Sequence, residues 1–436
     1  MRPGPHPFAT NDVYAAGPDA GSNTKTETID LLREDGYYRT RRPSPDLLNW
    51  QLNRNYLAHQ FAAKMFAANW TETYPPTAAG AAGDVLLASA HHQTPTGLGN
   101  NVYFYIADTG GAGASTVITG QNGHNWSQAA GPNPGVGTST MDADHDDDND
   151  TRVIVFDTAG APAAADYIYQ KIGVGAWAAA TIPAVPALNW RTVGCDRNTA
   201  GGAAALWVVG DDAAGAAGVM YTTTTPAGAP GFVVNASYGV LAINEPFHFI
   251  GHSCHPASAL GPDDTGNPNW LVLTDTRSVT SADGTNWVNA GLHGLGAAVT
   301  TKGAAYSRTA GRWVAPISAG AGSVRYSDDN GASWTTFANT LPHCVGNTFQ
   351  IQCDGYGTFV IMDNGAQLWV STDDGETWME TDIKRTLLTD EMLEVGFAST
   401  NDWNTHGDYP TYFCIGSADN AAGPPPTFEA FRSLVY

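Results

Sequence analysis

The sequence predicts an all-β fold, a β-propeller of seven units, preceded by an extended arm and one long α-helix. The first observation is the density of short β-rich runs after about residue 84, such as VYFYIA, RVIVFD, WLVLTD and QLWVST. Strands this short and this closely spaced are typical of a sandwich, a barrel or a propeller. The second observation decides among them, because a turn ending in tryptophan recurs at intervals of roughly 45 residues, the length of a four-stranded blade.

The recurring turn has a defined residue pattern. Segments 327–334 and 371–378 both read S-x-D-x-G-x-[ST]-W, segment 281–287 is one residue shorter, and segment 120–126 is a weaker short copy. In such a turn the aspartate accepts backbone N–H groups, glycine supplies a positive φ, and tryptophan packs between neighbouring sheets. We therefore predict structural roles as turn staples for Ser281, Asp283, Gly284, Trp287, Ser327, Asp329, Gly331, Trp334, Ser371, Asp373, Gly375 and Trp378.

This pattern resembles the Asp-box, also called the bacterial neuraminidase repeat, and the resemblance implies a propeller without implying a particular chemistry. Counted from the tryptophans and from Phe232, the predicted units cover about residues 80–134, 135–186, 187–239, 240–295, 296–340, 341–386 and 387–436. Six or eight blades remain alternatives, because the early repeats are degraded and the last unit has no clear motif.

The N-terminal part has a different residue pattern from the β-rich remainder of the chain. Residues 1–43 are predicted to be an extended arm, and residues 44–75 an anchoring helix that ends near Trp70, before the propeller of residues 80–436. Ser44 suits an N-cap and Pro45 the first helical position, and apolar residues then recur at i, i+4 spacing. The apolar face of this helix packs either on its own propeller or on another subunit or scaffold.

Composition excludes some partners. The formal net charge is −22 at pH 7, so phosphate backbones and anionic lipid surfaces are expected to repel the protein. No apolar run approaches the roughly 18 residues of a membrane span, and the N-terminus has no apolar signal-peptide core. The five cysteines are odd in number and irregularly spaced, which predicts buried thiols and neither a disulfide framework nor a zinc finger.

One acidic run is a candidate cation site. Asp142, Asp144, Asp146 and Asp148 alternate along the chain and resemble the first half of a calcium loop, although the glycine and glutamate of an EF-hand are absent. The two interpretations are a Ca²⁺ or Mg²⁺ site and a solvated acidic loop between blades. No other cofactor is predicted. His252 with Cys254, and the pair His91-His92, are expected to be packing or surface residues.

The Asp-box resemblance first suggests sialidase activity. It requires an arginine triad, a tyrosine nucleophile paired with glutamate, and an acid/base aspartate. Arginine and glutamate are scarce in the propeller, and no Arg-Ile-Pro tripeptide occurs at its start. We therefore predict no catalytic residues, and we keep a glycan-hydrolysing propeller as the alternative.

The layout of the chain suggests a function. Segment 41–61, RRPSPDLLNWQLNRNYLAHQF, resembles a short helix near the N-termini of tailed-phage fibre and appendage proteins. The resemblance implies a non-enzymatic structural and receptor-binding protein located in a virion, as a tail fibre, spike or similar appendage. Residues 1–75 would bind other virion proteins, and the propeller, in a homo-oligomer, would meet a host surface glycan or protein.

Overall fold

The structure is a computed structural model in which the described residues all belong to the unit Gln60–Tyr436. They are residues 70–73, 85–93, 100–107, 115–121, 125–133, 138–146, 150–158, 168–180, 190–196, 205–211, 219–228, 231–253, 270–295, 303–307, 310–317, 322–344, 348–353, 357–363, 367–381, 391–399, 411–419 and 428–435.

The described strands form seven antiparallel four-stranded sheets. Six sheets are each built from four consecutive strands, numbered sheets 1 to 6 in chain order. Sheets 1 to 3 contain β2 (Val85–Gln93), β3 (Asn100–Ala107), β4 (Thr116–Gln121), β5 (Asn125–Ala130), β6 (Thr138–Asp146), β7 (Thr151–Thr158), β8 (Ile168–Ile172), β9 (Ala178–Ala179), β10 (Trp190–Cys195), β11 (Trp207–Asp211), β12 (Met220–Thr223) and β13 (Val233–Val234). Sheets 4 to 6 contain β14 (Phe247–His252), β15 (Trp270–Thr274), β16 (Arg277–Ser281), β17 (Trp287–Leu292), β18 (Ala305–Ser307), β19 (Arg312–Pro316), β20 (Val324–Ser327), β21 (Thr335–Thr336), β22 (Thr348–Cys353), β23 (Phe359–Asp363), β24 (Leu368–Ser371) and β25 (Met379–Thr381).

Sheet 7 joins the two ends of the propeller. Its first three strands are β26 (Glu391–Ser399), β27 (Thr411–Asp419) and β28 (Phe428–Val435), and its outermost strand is β1 (Trp70–Thr73). The predicted last unit, 387–436, therefore supplies only three strands, and the fourth comes from the beginning of the chain. The first strands contact one another between sheets 1 and 2, 2 and 3, 3 and 4, 5 and 6, and 6 and 7. Sheets 4 and 5 pack through a cluster that includes Phe249, Leu271 and Tyr306, and β26 contacts β2, which closes the ring. The predicted β-propeller is confirmed.

The strand β1 corrects one boundary of the prediction. Residues 44–75 were predicted as the anchoring-helix region, with the helix ending near Trp70, and Trp70–Thr73 at the end of that region is a strand whose four residues pair with β28. Backbone pairing with the end of the chain thus begins at the residue where the helix was expected to end. The arm and the rest of the predicted helix, residues 1–69, lie outside the described residues. The described part of the chain contains a different, short helix, α1 (Ala236–Gly239). No helix in the described part is long and apolar enough to cross a membrane.

The core lies between neighbouring sheets. The second strands β11 and β15 are buried at every residue, as expected for strands covered on both faces. Between sheets 2 and 3, for example, Val153 and Ile168 pack with Trp190, Trp207 and Tyr221. Apolar and aromatic runs in these middle strands therefore supply the packing that holds the sheets together.

Each sheet has two ends, which differ in what they carry. We call the motif end the one with the turns between third and fourth strands, where the tryptophan motifs lie, and with the hairpins between first and second strands. The opposite end carries the turns between second and third strands and the beginnings of the first strands. Trp70 pairs with Ser433, near the end of the third strand β28, so the chain enters sheet 7 at the motif end.

The first strands share an irregularity near their beginnings. A register shift that leaves one extra residue occurs in β2, β6, β10, β14 and β22. Such bulges bend a strand and redirect side chains, and they often lie beside binding sites. The extra residues are Leu87, Met141, Arg191, His248 and Phe349.

Candidate functional site

The carboxylates of the motif aspartates are engaged within their own turns. Ser371 Oγ donates to Asp373 Oδ1 at 2.8 Å, and the Thr377 N–H donates to the same oxygen at 2.9 Å. The Thr377 hydroxyl donates to Oδ2, and the Gly375 N–H donates to Ser371 Oγ at 3.0 Å. Turn 327–334 repeats this network around Asp329. These bonds assign the aspartates a role in holding the turn.

In the shortened turn, 281–287, the motif aspartate is also hydrogen-bonded within its own turn, but by different donors. Asp283 Oδ1 accepts the N–H groups of Thr285 at 2.8 Å and Asn286 at 2.7 Å. Burial alone would raise the pKa of Asp283, but the hydrogen bonds from Asn286, Thr285 and Ser281 outweigh it and hold the pKa below its ordinary value. The pKa of Asp329 is lowered in the same way, chiefly by Ser333.

The motif glycine is required by backbone geometry. Gly331 has a φ of 90°, and a Cβ there would lie 2.5 Å from Leu271 Cδ1. The preceding Asn330 also has a positive φ, of 55°, which asparagine tolerates better than most residues. A larger residue would therefore strain the turn at this point.

The motif tryptophans are not the most deeply buried ones. Trp287 and Trp378 are 4% and 9% exposed, and Trp334 is only half-buried. Trp334 Nε1 donates to Ser278 Oγ in the preceding sheet at 2.9 Å. The fully buried tryptophans lie in strands or at their beginnings, namely Trp190, Trp207, Trp270, Trp313 and Trp369. Sequence reasoning missed these residues because they carry no turn pattern.

The described part of the acidic run, up to Asp146, lies on a strand. Asp142 and Asp144 belong to β6, and their carboxylates reach the neighbouring first strand β10. Asp142 Oδ2 accepts the Thr192 hydroxyl at 2.8 Å and the Val193 N–H at 3.0 Å, and Asp144 Oδ2 accepts the Cys195 N–H at 2.8 Å. These two carboxylates therefore join sheets 2 and 3.

The cation site stays a prediction. Asp146 is buried at the end of β6, and Asp148 lies outside the described residues. In the part of the chain that the structure describes, no group of three or more His, Cys, Asp or Glu side chains could hold a metal ion. The thiols of Cys195, Cys344 and Cys353 form no disulfide, and His252 packs against the ring of Trp270.

A polar cluster that the sequence analysis missed lies at the opposite end of sheet 4. His248 is the extra residue of β14, and its Nε2 lies 2.5 Å from Oδ1 of Asp275, in the turn between β15 and β16. The His248 side chain is 8% exposed, whereas the Asp275 side chain is 35% exposed. The pair thus presents an oriented carboxylate toward solvent. No local pattern could reveal it, since the two residues are 27 positions apart.

Glu245 completes the polar turn. Its Oε2 accepts the Thr274 hydroxyl at 2.6 Å and the Thr276 N–H at 2.9 Å, and Oε1 lies 3.5 Å from Arg277 Nε. Burial alone would raise the pKa of Glu245, but hydrogen bonds from Thr274 and Thr276 and the charge of Arg277 hold the pKa below its ordinary value. Glu245 is therefore an ionised staple of the turn.

Arg191 occupies the matching place in the adjacent sheet. It is the extra residue of β10, as His248 is of β14. The following residue, Thr192, accepts the Ile250 N–H at 3.2 Å, which fixes the two first strands side by side. Arg191 and His248 therefore lie at the same level of neighbouring first strands. Arg191 is half-buried.

A second group of titratable residues lies at the motif end of sheets 2 and 3. Burial raises the pKa of Asp196 to about 7, and the charge of Asp146 adds to the rise. The Leu206 N–H donates to Asp196 Oδ1 at 2.6 Å, and the neighbouring His145 is fully buried with Nε2 3.3 Å from Asp150 Oδ1. A carboxyl group that is half-protonated near neutral pH is capable of general acid catalysis.

Four described arginines have partners in separate places. Arg152 donates to Gly173 O in sheet 2, and Arg277 pairs with Glu245 at the opposite end of sheet 4. In sheet 5, Arg312 pairs with Asp328 at the motif end, whereas Arg325 donates to His293 O at the opposite end. These four do not form the single cluster that a sialidase triad requires.

Comparisons with known proteins agree on the fold. No protein family matches the sequence, and no curated protein resembles it. The structure of YCF48 from Cyanidioschyzon merolae is similar with a TM-score of 0.52 and 11% identity, over 84% of this chain and 99% of that one. At this identity the likeness shows the propeller fold alone.

Two further solved structures match less closely. The α-L-arabinanase of Penicillium chrysogenum, in complex with arabinobiose, has a TM-score of 0.44 and 10% identity over 83% of this chain and 97% of its own. A variant of Aleuria aurantia lectin, in complex with α-methyl-L-fucoside, has a TM-score of 0.41 and 13% identity over 70% of this chain and 96% of its own. Neither likeness indicates what this chain binds.

Proposed function

We propose that this chain is a non-enzymatic structural and receptor-binding protein of a virus particle, in a tail fibre, spike or similar appendage. Residues 1–69 would attach it to other virion proteins, and the propeller would meet a host surface ligand. The proposal depends chiefly on the way the chain enters the ring through β1.

The argument from β1 is geometric. Because Trp70 pairs with Ser433, the N-terminal segment joins the outermost strand of sheet 7 at the motif end. An attachment through residues 1–69 would therefore hold the propeller from that end. The opposite end, with its turns and the bulged beginnings of the first strands, would face away from the particle.

Two features of the sequence support this assignment. Segment 41–61 resembles the N-terminal helix of tailed-phage appendage proteins, and it lies outside the described residues. The net charge of −22 favours solubility and disfavours nucleic acid. In a homo-oligomer, several weak sites would act together and give avidity for a surface that repeats its ligand.

The test uses the whole chain and a variant that begins at Trp70. We expect the whole chain to co-purify with virions of its source and to bind host cells, and the shortened chain to bind host cells without joining particles. Incorporation of the shortened chain would contradict the attachment role. Failure of both proteins to bind host cells would contradict the receptor-binding role.

One observation favours glycan hydrolysis as a second candidate. Burial raises the pKa of Asp196 to about 7, which is suited to a general acid near neutral pH, and the charge of the buried Asp146 adds to the rise. In this alternative Asp196 would be the general acid. If the whole chain hydrolyses glycans and Asp196→Asn abolishes the hydrolysis, the protein is an enzyme and the non-enzymatic function is wrong. If the whole chain hydrolyses no glycan, the enzymatic alternative is wrong.

A further inference from the structure

We propose that residues 293–295, which follow the last strand of sheet 4 at the opposite end, form an acid-sensitive link that opens when His293 takes up a proton. We call these three residues the link segment. The inference goes beyond the proposed function and does not depend on it, because a response to acid needs neither a particle nor a host. If the propeller is displayed as proposed, the opening would occur at the end that faces away from the particle.

The link segment is fixed to the turn between β15 and β16 by two hydrogen bonds from one residue. The His293 N–H donates to Thr276 O at 3.0 Å, and His293 Nε2 lies 2.9 Å from Thr274 O. His293 is only 1% exposed, so water does not compete for these bonds. The imidazole is thus enclosed where the link segment meets sheet 4.

The partners of the two ring nitrogens determine the protonation state of His293. A carbonyl oxygen can only accept, so Nε2 carries the proton that is donated to Thr274 O. The Leu295 N–H can only donate, and it lies 2.9 Å from Nδ1, so Nδ1 is the unprotonated nitrogen that accepts it. The neutral ring therefore has both nitrogens satisfied. A second proton, on Nδ1, would point at the Leu295 N–H and abolish that bond.

Loss of this bond would act directly on the core. Leu295 is fully buried and belongs to the cluster between sheets 4 and 5, with Leu271, Tyr306 and Trp313. A buried N–H without an acceptor is costly, so protonation of His293 favours states in which the Leu295 backbone reaches water. Withdrawal of Leu295 from the cluster gives that access and loosens the packing of sheet 4 on sheet 5.

Arg325, on the third strand of sheet 5, opposes a charged His293. Its Nη1 donates to His293 O at 3.0 Å, and a Cβ at position 294 would collide with that nitrogen. Gly294, with a φ of 67°, therefore lets the link segment pass close to the guanidinium. An imidazolium at position 293 would add a second positive charge beside one that is permanent.

The surrounding charges set the direction of the response. Glu245, His248 and Arg325 act on His293, and Arg277 and Asp275 are paired with the first two. Burial lowers the pKa of His293 below its ordinary value of 6.5, and His248 and Arg325 lower it further, whereas the bond to Thr274 O and the charge of Glu245 oppose the change. An opened, solvated His293 takes up a proton more readily than the closed one, so the closed link is favoured above pH 6.5 and loses stability as pH falls below it.

The test measures hydrogen–deuterium exchange of the whole chain by mass spectrometry, from about pH 7.5 to about pH 4.5, with rates corrected for the intrinsic effect of pH. We expect the protection of peptides that include residues 292–295 to fall at least about tenfold across this range. Peptides that include β24 should keep their protection, which distinguishes opening of the link segment from unfolding of the propeller. Unchanged protection of residues 292–295, or an equal loss in β24, would overturn the proposal.

The first variant is His293→Asn. An asparagine oxygen accepts the N–H two residues further on, as in an Asx-turn, so it can hold Leu295, but the amide does not take up a proton in this range. We expect its link segment to stay protected at acid pH. His343→Asn is the matched control, because the His343 side chain is 84% exposed and asparagine tolerates its positive φ of 58°. Its link segment should open as in the unmodified chain, and acid opening in His293→Asn would overturn the proposal.

The second variant, Glu245→Gln, separates the charge of His293 from a general loosening of the turn. Removal of a negative charge disfavours protonation of His293, so the opening should shift to lower pH. Weaker bonds from residue 245 to Thr274 and Thr276 would alone shift the opening to higher pH, and that result would contradict the proposal. Near-UV circular dichroism reports whether each variant is folded, and the unmodified chain and Glu245→Gln keep the test valid if His293→Asn is not. Failure here leaves the receptor-binding function standing, because no measurement involves particles or host cells.

Discussion

Closure of the ring by β1 makes a prediction that two truncated chains can test. A chain beginning at Trp70 keeps all the strands of sheet 7, whereas a chain beginning at Tyr74 lacks β1 and leaves β28 without its outer partner. We expect the first truncation to leave the stability of the propeller unchanged and the second to lower it.

The size of the effect follows from the ladder. Four residue pairs join β1 to β28. At about 1 kcal/mol net for each backbone hydrogen bond, and one bond per pair, the loss is roughly 4 kcal/mol. Domains are commonly stable by about 5–15 kcal/mol, so the loss is a large part of the total. The bared edge of β28 would also promote association between chains.

The assay is urea unfolding followed by tryptophan fluorescence, with size-exclusion chromatography before each titration. We expect the chain that begins at Tyr74 to unfold at a urea concentration lower by about 1 M or more, and to elute partly as aggregate. Equal midpoints and equal elution for the two truncations would refute closure of the ring by β1.

Three further predictions concern packing and charge. Trp313→Ala should cost about 3–5 kcal/mol of unfolding free energy because Trp313 is 2% exposed, and half-buried Trp334→Ala should cost clearly less; equal urea midpoints would contradict this. The pKa of Asp329 is lowered in the folded protein, so its contribution to stability is present above the unfolded pKa of about 4 and is lost as pH falls through the folded pKa. Asp329→Asn should therefore lower the urea midpoint at pH 7 and match the unmodified protein near pH 2. A difference in urea midpoint that does not change with pH would be inconsistent with this. The pKa of Asp196 is raised to about 7 in the folded protein, so stability is lost as pH rises from about 4 toward 7. Asp196→Asn should raise the urea midpoint at pH 8 and leave it unchanged near pH 4. An unchanged midpoint at pH 8 would show that ionisation of this buried carboxyl does not destabilise the fold.

The repeat predicted most of the architecture, because each motif is a local event. Six of the predicted units coincide with sheets of four consecutive strands, since every unit contains its own turns and alternating runs. The strand β1 could not be predicted in this way. Its four residues lie where the predicted helix ends and carry no turn motif, and their pairing partner, β28, lies at the other end of the chain.

The sites were harder to predict than the fold, for a related reason. Asp142 and Asp144 alternate as calcium ligands do, but alternation along a strand also directs carboxylates to the N–H groups of a neighbouring strand, and β10 takes that role. His248 and Asp275 have no motif between them, and the bulge that sets His248 apart depends on strand register. Sequence patterns report local geometry, whereas these groups meet only in the folded ring.

The most direct test of the display account is to block each end of the propeller in turn. A bulky maleimide polymer is attached through Ala332→Cys, in a motif turn, or through His343→Cys, which lies near Gln367 at the opposite end and is 84% exposed in its side chain. The unmodified protein, treated in the same way, corrects for reaction at its natural cysteines. Host-cell binding is then measured for each conjugate. The account predicts that the polymer at His343 abolishes binding and the polymer at Ala332 leaves it intact, and the reverse result would contradict it.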